Sequence, residues 1–552
     1  MKPPKIVFVC QECGSQASKW MGRCADCGAW NSLVEERAVE AAPPAASPGA
    51  ASSRYALGRS DGARLSADIE LTDATRLRTG LDEFDRVLGG GIVPGSLVLL
   101  GGEPGIGKSR LLMEFTSQVE TNESTLRVLS TRALGQAGQV PFYIWKSLWN
   151  SSLGLRDDDP PRNAREKLIV EIRKLWGKEL GPASALETAH LIGHLLGIDW
   201  PDSSFLAALK TPQERIQRAF ELTRELFRRI CGSRMTLLLI DDLQWADRNS
   251  LELLDYVLRP GKERMPLLVL GGARPQFFQA HPEWADRGQT LTLGPLPIKS
   301  ADVAEAYPDL ADMPTPMLEA LARQAEGNPY FLEEMVKNLL KSGGDAGGAE
   351  RAIERLRTQP PESLQAALQA RLDTLPREIR AFALLAAVVG RVFWVGAVLA
   401  AMRVASRLGT ASFPQGALAD TDPLIREALK RLEQAELVFP RAGYTFSRDQ
   451  EYIFKSSLLR DVAYSLIPLR VRPNYHRAVA DWLGARPDVD FKVMAAEHYE
   501  QADRPMEAAL YYEQAARNAS ARGATTEAER MVQRAAALRV KAQSPPTDLP
   551  GL

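Results

Sequence analysis

The sequence predicts an α/β nucleotide-binding core built on a parallel sheet, preceded by a zinc ribbon and followed by an all-α region. Three observations predict this fold class. An apolar strand at 97–100 runs into a Gly-x-x-x-x-Gly-Lys-Ser loop at 102–109, two Cys-x-x-Cys pairs lie at 10–27, and helical periodicity dominates after 361. A strand, such a loop and then an amphipathic helix form the context that a P-loop requires.

Composition indicates a multidomain globular chain. Its 552 residues correspond to roughly three or four domains, and 45% hydrophobic with 25% charged residues is ordinary for globular protein. The formal net charge of −1 gives no overall basic field, so any contact with DNA would be local. We find no apolar run of membrane-spanning length and no signal peptide, and we therefore expect a cytoplasmic protein with no membrane partner.

The four N-terminal cysteines are predicted to bind a metal. In a reducing compartment, two closely spaced Cys-x-x-Cys pairs favour metal over disulfides. Four thiolates form a closed tetrahedral shell around Zn²⁺, which implies a structural metal that supplies folding energy to a short segment. Unmetallated cysteines are the alternative. The predicted zinc ligands are Cys10, Cys13, Cys24 and Cys27.

The loop at 102–109 is predicted to bind a nucleotide. Its glycines allow backbone N–H groups to turn inward around a β-phosphate, at the positive end of the following helix. Lys108 would reach the β- and γ-phosphates, and Ser109 would ligate Mg²⁺. The alternative is a glycine-rich turn without a ligand. The predicted nucleotide-binding residues here are Gly102, Glu103, Pro104, Gly105, Ile106, Gly107, Lys108, Ser109 and Arg110.

Two segments resemble the RadA/Sms DNA-repair family. The first contains Phe8-Val9-Cys10-Gln11-Glu12-Cys13-Gly14, Lys19-Trp20-Met21-Gly22-Arg23-Cys24 and Cys27-Gly28-Ala29-Trp30-Asn31. The second contains Arg78-Thr79-Gly80-Leu81-Asp82 and continues through Pro94-Gly95-Ser96 into the P-loop. The resemblance covers about 5–32 and 76–115 and implies an ATP-dependent DNA-binding protein. Downstream, the family's Lys-Asn-Arg-Phe-Gly segment and its Lon-like domain are missing from the sequence.

A second apolar strand is predicted to deliver two acids to the phosphates. The run at 235–240 ends in Asp241 and Asp242, and a parallel strand buried on both faces carries its C-terminal acids to the sheet edge where ligands bind. Asp241 would hold Mg²⁺ through water, and Asp242 would polarise the attacking water. The alternative is a strand followed by a helix cap at Asp247 or Asn249.

From the P-loop onward the chain resembles the AAA-like STAND signal-transduction ATPases, which include MalT-like regulators and adenylate-cyclase-associated ATPases. Beside the two acids, Arg274 and the Gly327-Asn328-Pro329 segment carry this resemblance. It implies that Arg274 senses the γ-phosphate, with an exposed surface pair as the alternative. It implies that Gly327 and Pro329 form a hinge or an adenine contact of a helical lid, with helix capping as the alternative.

The C-terminal region is predicted to be helical. A helix at 424–436 followed by strand-like runs at 437–439 and 444–446 suggests a winged helix. Small residues at helical spacing in 495–538 resemble tetratricopeptide hairpins. The predicted boundaries are 1–32 zinc ribbon, 33–75 linker, 76–295 RecA/AAA-like ATPase core, 296–360 lid, 361–470 winged-helix-like domain and 471–552 tetratricopeptide-like helices.

These features lead to one leading function and two alternatives. The leading hypothesis is a STAND-type regulatory ATPase switch that uses ATP, Mg²⁺ and Zn²⁺. The alternatives are a RadA-like ATP-dependent DNA-binding repair protein, and a nucleotide-binding scaffold or chance fusion joined within the shared P-loop. The sequence leaves open whether DNA binds the ribbon or the winged helix, whether proteins bind the C-terminal helices, and whether the chain oligomerises.

Overall fold

The structure is a computed structural model that describes most of the chain from the P-loop to the last helix. The described residues are 6–10, 16–17, 33–37, 86, 90, 93, 95–122, 127–176, 182–259, 265–285, 287–311, 313–342, 363–410, 423–441, 449–486, 488 and 490–543. Three predicted zinc ligands, Cys13, Cys24 and Cys27, lie outside these residues, and only the backbone of Cys10 is described. The strand-like run at 444–446 and residues 38–75 of the predicted linker also lie outside them, whereas 33–37, predicted as the start of that linker, form a strand.

The chain divides into two units, Met1–Thr72 and Asp73–Leu552. The first unit contains a three-stranded antiparallel sheet in the order β2-β1-β3, in which Val9 pairs with Gln16 on one side and Val34 on the other. Its strands are β1 Ile6–Cys10, β2 Gln16–Ala17 and β3 Leu33–Arg37.

The second unit begins with a five-stranded parallel sheet in the order β5-β6-β7-β4-β8. Its strands are β4 Leu97–Gly102, β5 Arg127–Arg132, β6 Thr236–Asp241, β7 Leu267–Gly272 and β8 Gln289–Leu293. The three inner strands are buried along their whole length, whereas the two edge strands are partly exposed. Full burial explains why the inner strands are continuous apolar runs and not alternating ones.

Eight helices accompany this sheet among the described residues. The helix α1 follows the P-loop directly, and the amphipathic α6 begins with a capping box in which Thr211 and Glu214 bond each other's backbone N–H groups. The helices are α1 Lys108–Asn122, α2 Tyr143–Leu153, α3 Pro161–Trp176, α4 Pro182–Leu195, α5 Ser204–Ala208, α6 Pro212–Ser233, α7 Arg248–Leu258 and α8 Pro275–Ala280.

Three helices after the sheet form a small module with its own apolar core, which includes Leu321, Phe331 and Met335. They are α9 Ser300–Ala306, α10 Thr315–Gln324 and α11 Pro329–Ser342. We call this module the lid.

The next module has winged-helix topology. A short strand between its second and third helices joins the hairpin to give a sheet in the order β10-β11-β9. Its elements are α12 Leu364–Asp373, α13 Arg377–Val389, β9 Val392–Trp394, α14 Val395–Arg407, α15 Pro423–Gln434, β10 Val438–Arg441, β11 Glu451–Phe454 and α16 Ser457–Ser465.

Four helices complete the described chain and pack successively on one another. Buried alanines such as Ala495, Ala508 and Ala535 allow these helices to approach closely. They are α17 Arg472–Gly484, α18 Asp490–Gln501, α19 Pro505–Ala521 and α20 Thr525–Gln543. One continuous apolar core joins them to the winged-helix module and the ATPase sheet.

The lid is attached to the winged-helix module by a fully buried ion pair. The Arg371 side chain on α12 is 1% exposed and the Glu334 side chain on α11 is 0% exposed. One terminal nitrogen of Arg371 donates to Glu334, and the other donates to the carbonyl of Ala435. Each charge is thus compensated in a place that water does not reach.

The predicted fold class is therefore confirmed: a parallel-sheet core precedes a region that, where it is described, is helical apart from the small winged-helix sheet. The finer domain boundaries remain predictions. Within the described ranges, no helix combines the length and the apolarity needed to cross a bilayer.

Candidate functional site

The P-loop backbone leaves room for phosphate. Gly105 and Gly107 have φ values of 85° and 104°, a region that favours glycine. A Cβ built on Gly107 would meet no atom within 4 Å, whereas one on Gly105 would lie 2.7 Å from Oδ1 of Asn328. The loop is therefore open at one glycine and closely covered at the other, and an anion fits the open side at the start of α1.

Lys108 lies over this loop. Its Nζ donates to the carbonyl oxygens of Gly102 at 2.5 Å and Glu103 at 2.8 Å. Burial lowers the pKa of Lys108 and the charge of Arg274 adds to this, while the neighbouring carboxylates oppose it. Its bonds to loop carbonyls are ones that phosphate oxygens can replace.

Ser109 and Asp241 meet across 132 residues of sequence. The Ser109 hydroxyl donates to Oδ2 of Asp241 at 2.8 Å, and Asp241 is buried at the end of β6. A hydroxyl beside a carboxylate is the donor set that P-loop enzymes offer to Mg²⁺. The residues present therefore fit the predicted metal, although their role remains a prediction.

Arg132, which sequence reasoning missed, shares these acids. It ends β5, and its Nε lies 3.1 Å from Oδ2 of Asp241 and 3.6 Å from Oδ2 of Asp242. Its guanidinium thus neutralises both carboxylates in this structure. The one feature that could have identified Arg132 as a site residue is its position at the end of β5, the strand that pairs with β6.

Asp242 connects the ATPase core to the winged-helix module. It adopts a left-handed backbone conformation with φ 60°, and its Oδ1 accepts from Nε2 of Gln244 at 2.9 Å. Its Oδ2 forms an ion pair with Arg391, which directly precedes β9. Burial raises the pKa of Asp242, but Arg391 and Arg132 outweigh it, so that the pKa falls below its usual value. Asp242 is therefore held ionised, with a salt bridge to a module 149 residues away.

Arg274 lies at the same junction. Its backbone N–H donates to Oε1 of Gln244 at 3.1 Å, and its Nη2 donates to Oγ of Ser457 at 2.5 Å. Ser457 is the first residue of α16. The half-buried side chain of Arg274 is thus bonded to the winged-helix module, and the sensor role stays a prediction.

The Gly-x-Pro segment touches the P-loop. Nδ2 of Asn328 donates to the carbonyl of Pro104 at 3.1 Å, and the N–H of Tyr330 donates to the carbonyl of Gly105 at 3.3 Å. Pro329 is the first residue of α11, and Gly327 has φ 72°. The lid is therefore fixed to the loop through residues between and beside the predicted pair, and the adenine contact remains a prediction.

Three further predicted loop residues differ in their exposure to solvent. Ile106 is buried and anchors the loop, whereas Glu103 is exposed. Arg110 is exposed and forms an ion pair with Glu114 at 3.4 Å, one turn along α1. A nucleotide-binding role for Arg110 therefore remains a prediction.

Comparison with protein-family models defines the class of the two parts. Residues 76–270 match the AAA ATPase domain, and residues 8–35 match a rubredoxin metal binding domain. The chain therefore contains an N-terminal zinc ribbon, followed in sequence by an AAA ATPase domain.

Comparison with individual proteins gives relatives for part of the chain. It is 45% identical over 140 residues to the DNA repair protein RadA of Salmonella typhimurium, which covers 24% of this chain and 29% of the relative. It is 44% identical over 130 residues to RadA of Bacillus subtilis, covering 24% and 28%. The chain thus spans less than a third of the length of these relatives. The predicted mosaic, a RadA-like part joined to an ATPase domain, fits these matches.

A solved structure is similar over more of the chain but only loosely. A STAND protein with a tetratricopeptide repeat sensor from Pyrococcus horikoshii is 12% identical, with a TM-score of 0.42, over 86% of this chain and 59% of that chain. A TM-score of this size is too low to define a common fold.

Proposed function

We propose that this protein is an ATP-binding and ATP-hydrolysing regulatory switch. The observation that carries the proposal is the salt bridge between Asp242 at the nucleotide site and Arg391 of the winged-helix module. A group suited to orient water is thereby bonded to a different module. Hydrolysis and the arrangement of modules are then linked through one contact.

In this proposal the residues of the site divide the work. The P-loop N–H groups and Lys108 bind the phosphates, while Ser109 and Asp241 hold Mg²⁺, which neutralises charge on the phosphates. Oδ2 of Asp241, which Arg132 contacts in this structure, would then accept from a water molecule of the metal, and Arg132 would be free to turn toward the γ-phosphate. Asp242 orients the attacking water only after Arg391 releases it.

The switch then has two states. In the state seen here, the Arg391–Asp242 and Arg274–Ser457 contacts hold the winged-helix module against the ATPase core. ATP shifts the equilibrium only to the extent that it binds the released state more tightly. Hydrolysis removes the γ-phosphate contacts and allows the closed state to re-form.

Replacing Arg391 tests this proposal. We expect Arg391→Gln to raise the basal ATPase rate, because Asp242 loses the partner that engages it. A typical coupling free energy corresponds to about a 5- to 150-fold change. Steady-state phosphate release from the purified full chain measures it, with Arg407→Gln at the exposed end of α14 as the matched control. A rate equal to that of the control would contradict the switch.

The RadA-like segment supports a second function, ATP-dependent DNA binding through the zinc ribbon. The observation that supports this second function is the 45% identity to a DNA repair protein over 140 residues. In this case single-stranded DNA should stimulate ATP hydrolysis, with salt-sensitive binding. We expect Cys24→Ser to remove the bound zinc and the DNA binding together, because metal binding and folding of so short a segment are coupled.

The same measurements separate the two functions. The control is Cys231→Ser. Cys231 is buried within the ATPase core, so this substitution should leave the zinc content unchanged. ATPase activity that is unchanged by single-stranded DNA, together with no salt-dependent binding, would remove the second function.

A further inference from the structure

A cleft of about 900 Å³ lies among three modules, apart from the P-loop. Its walls come from the loop 133–139 of the ATPase core, from 388–391 and 457–464 of the winged-helix module, and from the helices α18 to α20. Apart from Arg391 and Ser457, which take part in the proposed switch, the functions proposed above leave the residues that line this cleft unused.

The wall of this cleft contains a buried acid that has no side-chain partner among the described residues. Glu527 on α20 is 4% exposed, and among the described residues its carboxyl oxygens have no hydrogen-bond partner beyond the residue's own backbone N–H. Burial raises the pKa of Glu527 to about 7, and the negative charges of Asp247 and Glu252 contribute to this rise, while its own backbone N–H and the charge of Arg530 oppose it. A buried carboxyl in this state costs free energy that a cationic donor would recover.

A second acid lines the same cleft. Oε1 of Glu497 on α18 accepts from Nε2 of Gln139 at 2.7 Å. Burial raises the pKa of Glu497 to about 8. This leaves a second carboxyl that burial holds toward its neutral form and that an added cation would ionise.

The cations that line the cleft are largely engaged. Arg391 bonds Asp242, Arg460 donates to the carbonyl of Ala387 at 2.8 Å, and Arg534 bonds Glu500. Arg530 is exposed on α20.

The histidines in the cleft wall add no positive charge. His476 and His498 lie with their Nδ1 atoms 2.8 Å apart, and burial is the main cause that lowers their pKa values, to about 2 and about 4. Both rings are therefore neutral at pH 7 and supply no positive charge to Glu527, which leaves the exposed Arg530 as a cation that acts on it.

We infer that this cleft binds a small aliphatic polyamine, with one ammonium group at Glu527 and another at Glu497. An ammonium group has three donors and no acceptor, which complements the carboxyl oxygens of Glu527 and the acceptor sites of Glu497 that Gln139 does not occupy. Two acids in one cleft favour a ligand with at least two ammonium groups over a monoamine. This inference does not depend on the proposed switch, since the binding can be measured without nucleotide.

Calorimetry on the full chain tests the site with 1,4-diaminobutane and spermidine as probes. We expect saturable binding that Glu527→Gln weakens about tenfold or more, the loss typical of a charged hydrogen bond. Glu529→Gln is the matched control, because Glu529 is exposed two residues further along the same helix. Glu497→Gln is the second variant and should weaken binding similarly, which keeps the test decisive if Glu527→Gln does not fold.

The pH dependence supplies an independent readout. Aliphatic amines stay protonated below about pH 10, so a fall in pH from 8 to 6 changes the acids and not the ligand. Protons then compete with the amine for Glu497 and Glu527, and we expect the affinity to fall. Butylamine should bind more weakly than the diamine if two carboxyls take part.

Three results would overturn the inference. The first is no binding of either polyamine at millimolar concentration. The second is equal weakening by Glu529→Gln, which would indicate general attraction to a charged surface. The third is an affinity that does not change between pH 8 and pH 6.

Discussion

Lys108→Ala should reduce ATP hydrolysis by about 100-fold or more, the loss typical when one preorganised donor to a developing charge is removed. The Lys108 ammonium is fixed over the P-loop by the carbonyls of Gly102 and Glu103, and an alanine leaves no cation there. Single-turnover and steady-state phosphate release measure the effect. Lys174→Ala, an exposed lysine on α3, is the matched control and should keep full activity.

The opposite result would be equally informative. If the Lys108→Ala variant hydrolysed ATP at the full rate, both the regulatory ATPase and the RadA-like ATPase would be excluded. A nucleotide-binding scaffold, or a fusion without a common function, would then describe the chain.

Arg371→Leu should lower the free energy of unfolding by about 3–5 kcal/mol, because it leaves the buried Glu334 carboxylate without its hydrogen-bonded partner and with the more distant Lys455, whose Nζ lies 3.9 Å away. The Arg371 side chain is 1% exposed and the Glu334 side chain is 0% exposed, so water cannot replace the lost ion pair. Urea denaturation followed by tryptophan fluorescence measures the change. Arg377→Leu, an exposed arginine four residues beyond the end of α12, should stay within about 0.5 kcal/mol of the parent.

A double variant separates charge from packing. Arg371→Leu combined with Glu334→Leu should recover much of the lost stability, since no uncompensated charge then remains. A double variant as unstable as Arg371→Leu would show that packing, and not the charge of Glu334, is responsible.

Local patterns predicted the central part of this fold well. A parallel strand between two neighbours is buried on both faces, so β4, β6 and β7 appear in the sequence as continuous apolar runs. The P-loop and Asp241 follow two of these runs directly. Because parallel strands end at one edge of the sheet, the pattern predicted that the P-loop and Asp241 lie close together.

Contacts between modules could not be predicted in the same way. Arg391 reaches Asp242 across 149 residues, and no spacing rule marks an arginine before a short strand as the partner of a distant acid. β9 itself has only three residues, too few to show a period. Arg132 was overlooked because its role depends on the neighbouring strand β6 and not on its own sequence context.

The left-handed backbone conformation of Asp242 limits the residue types that this position can accept. Among non-glycine residues, only a few types such as asparagine and aspartate adopt this conformation readily, and φ at this position is 60°. Asparagine keeps the shape and removes the charge, so that, under the proposed function, one replacement would end hydrolysis and leave nucleotide binding and the backbone intact. Descendants of this chain could therefore lose turnover in a single step without losing the fold.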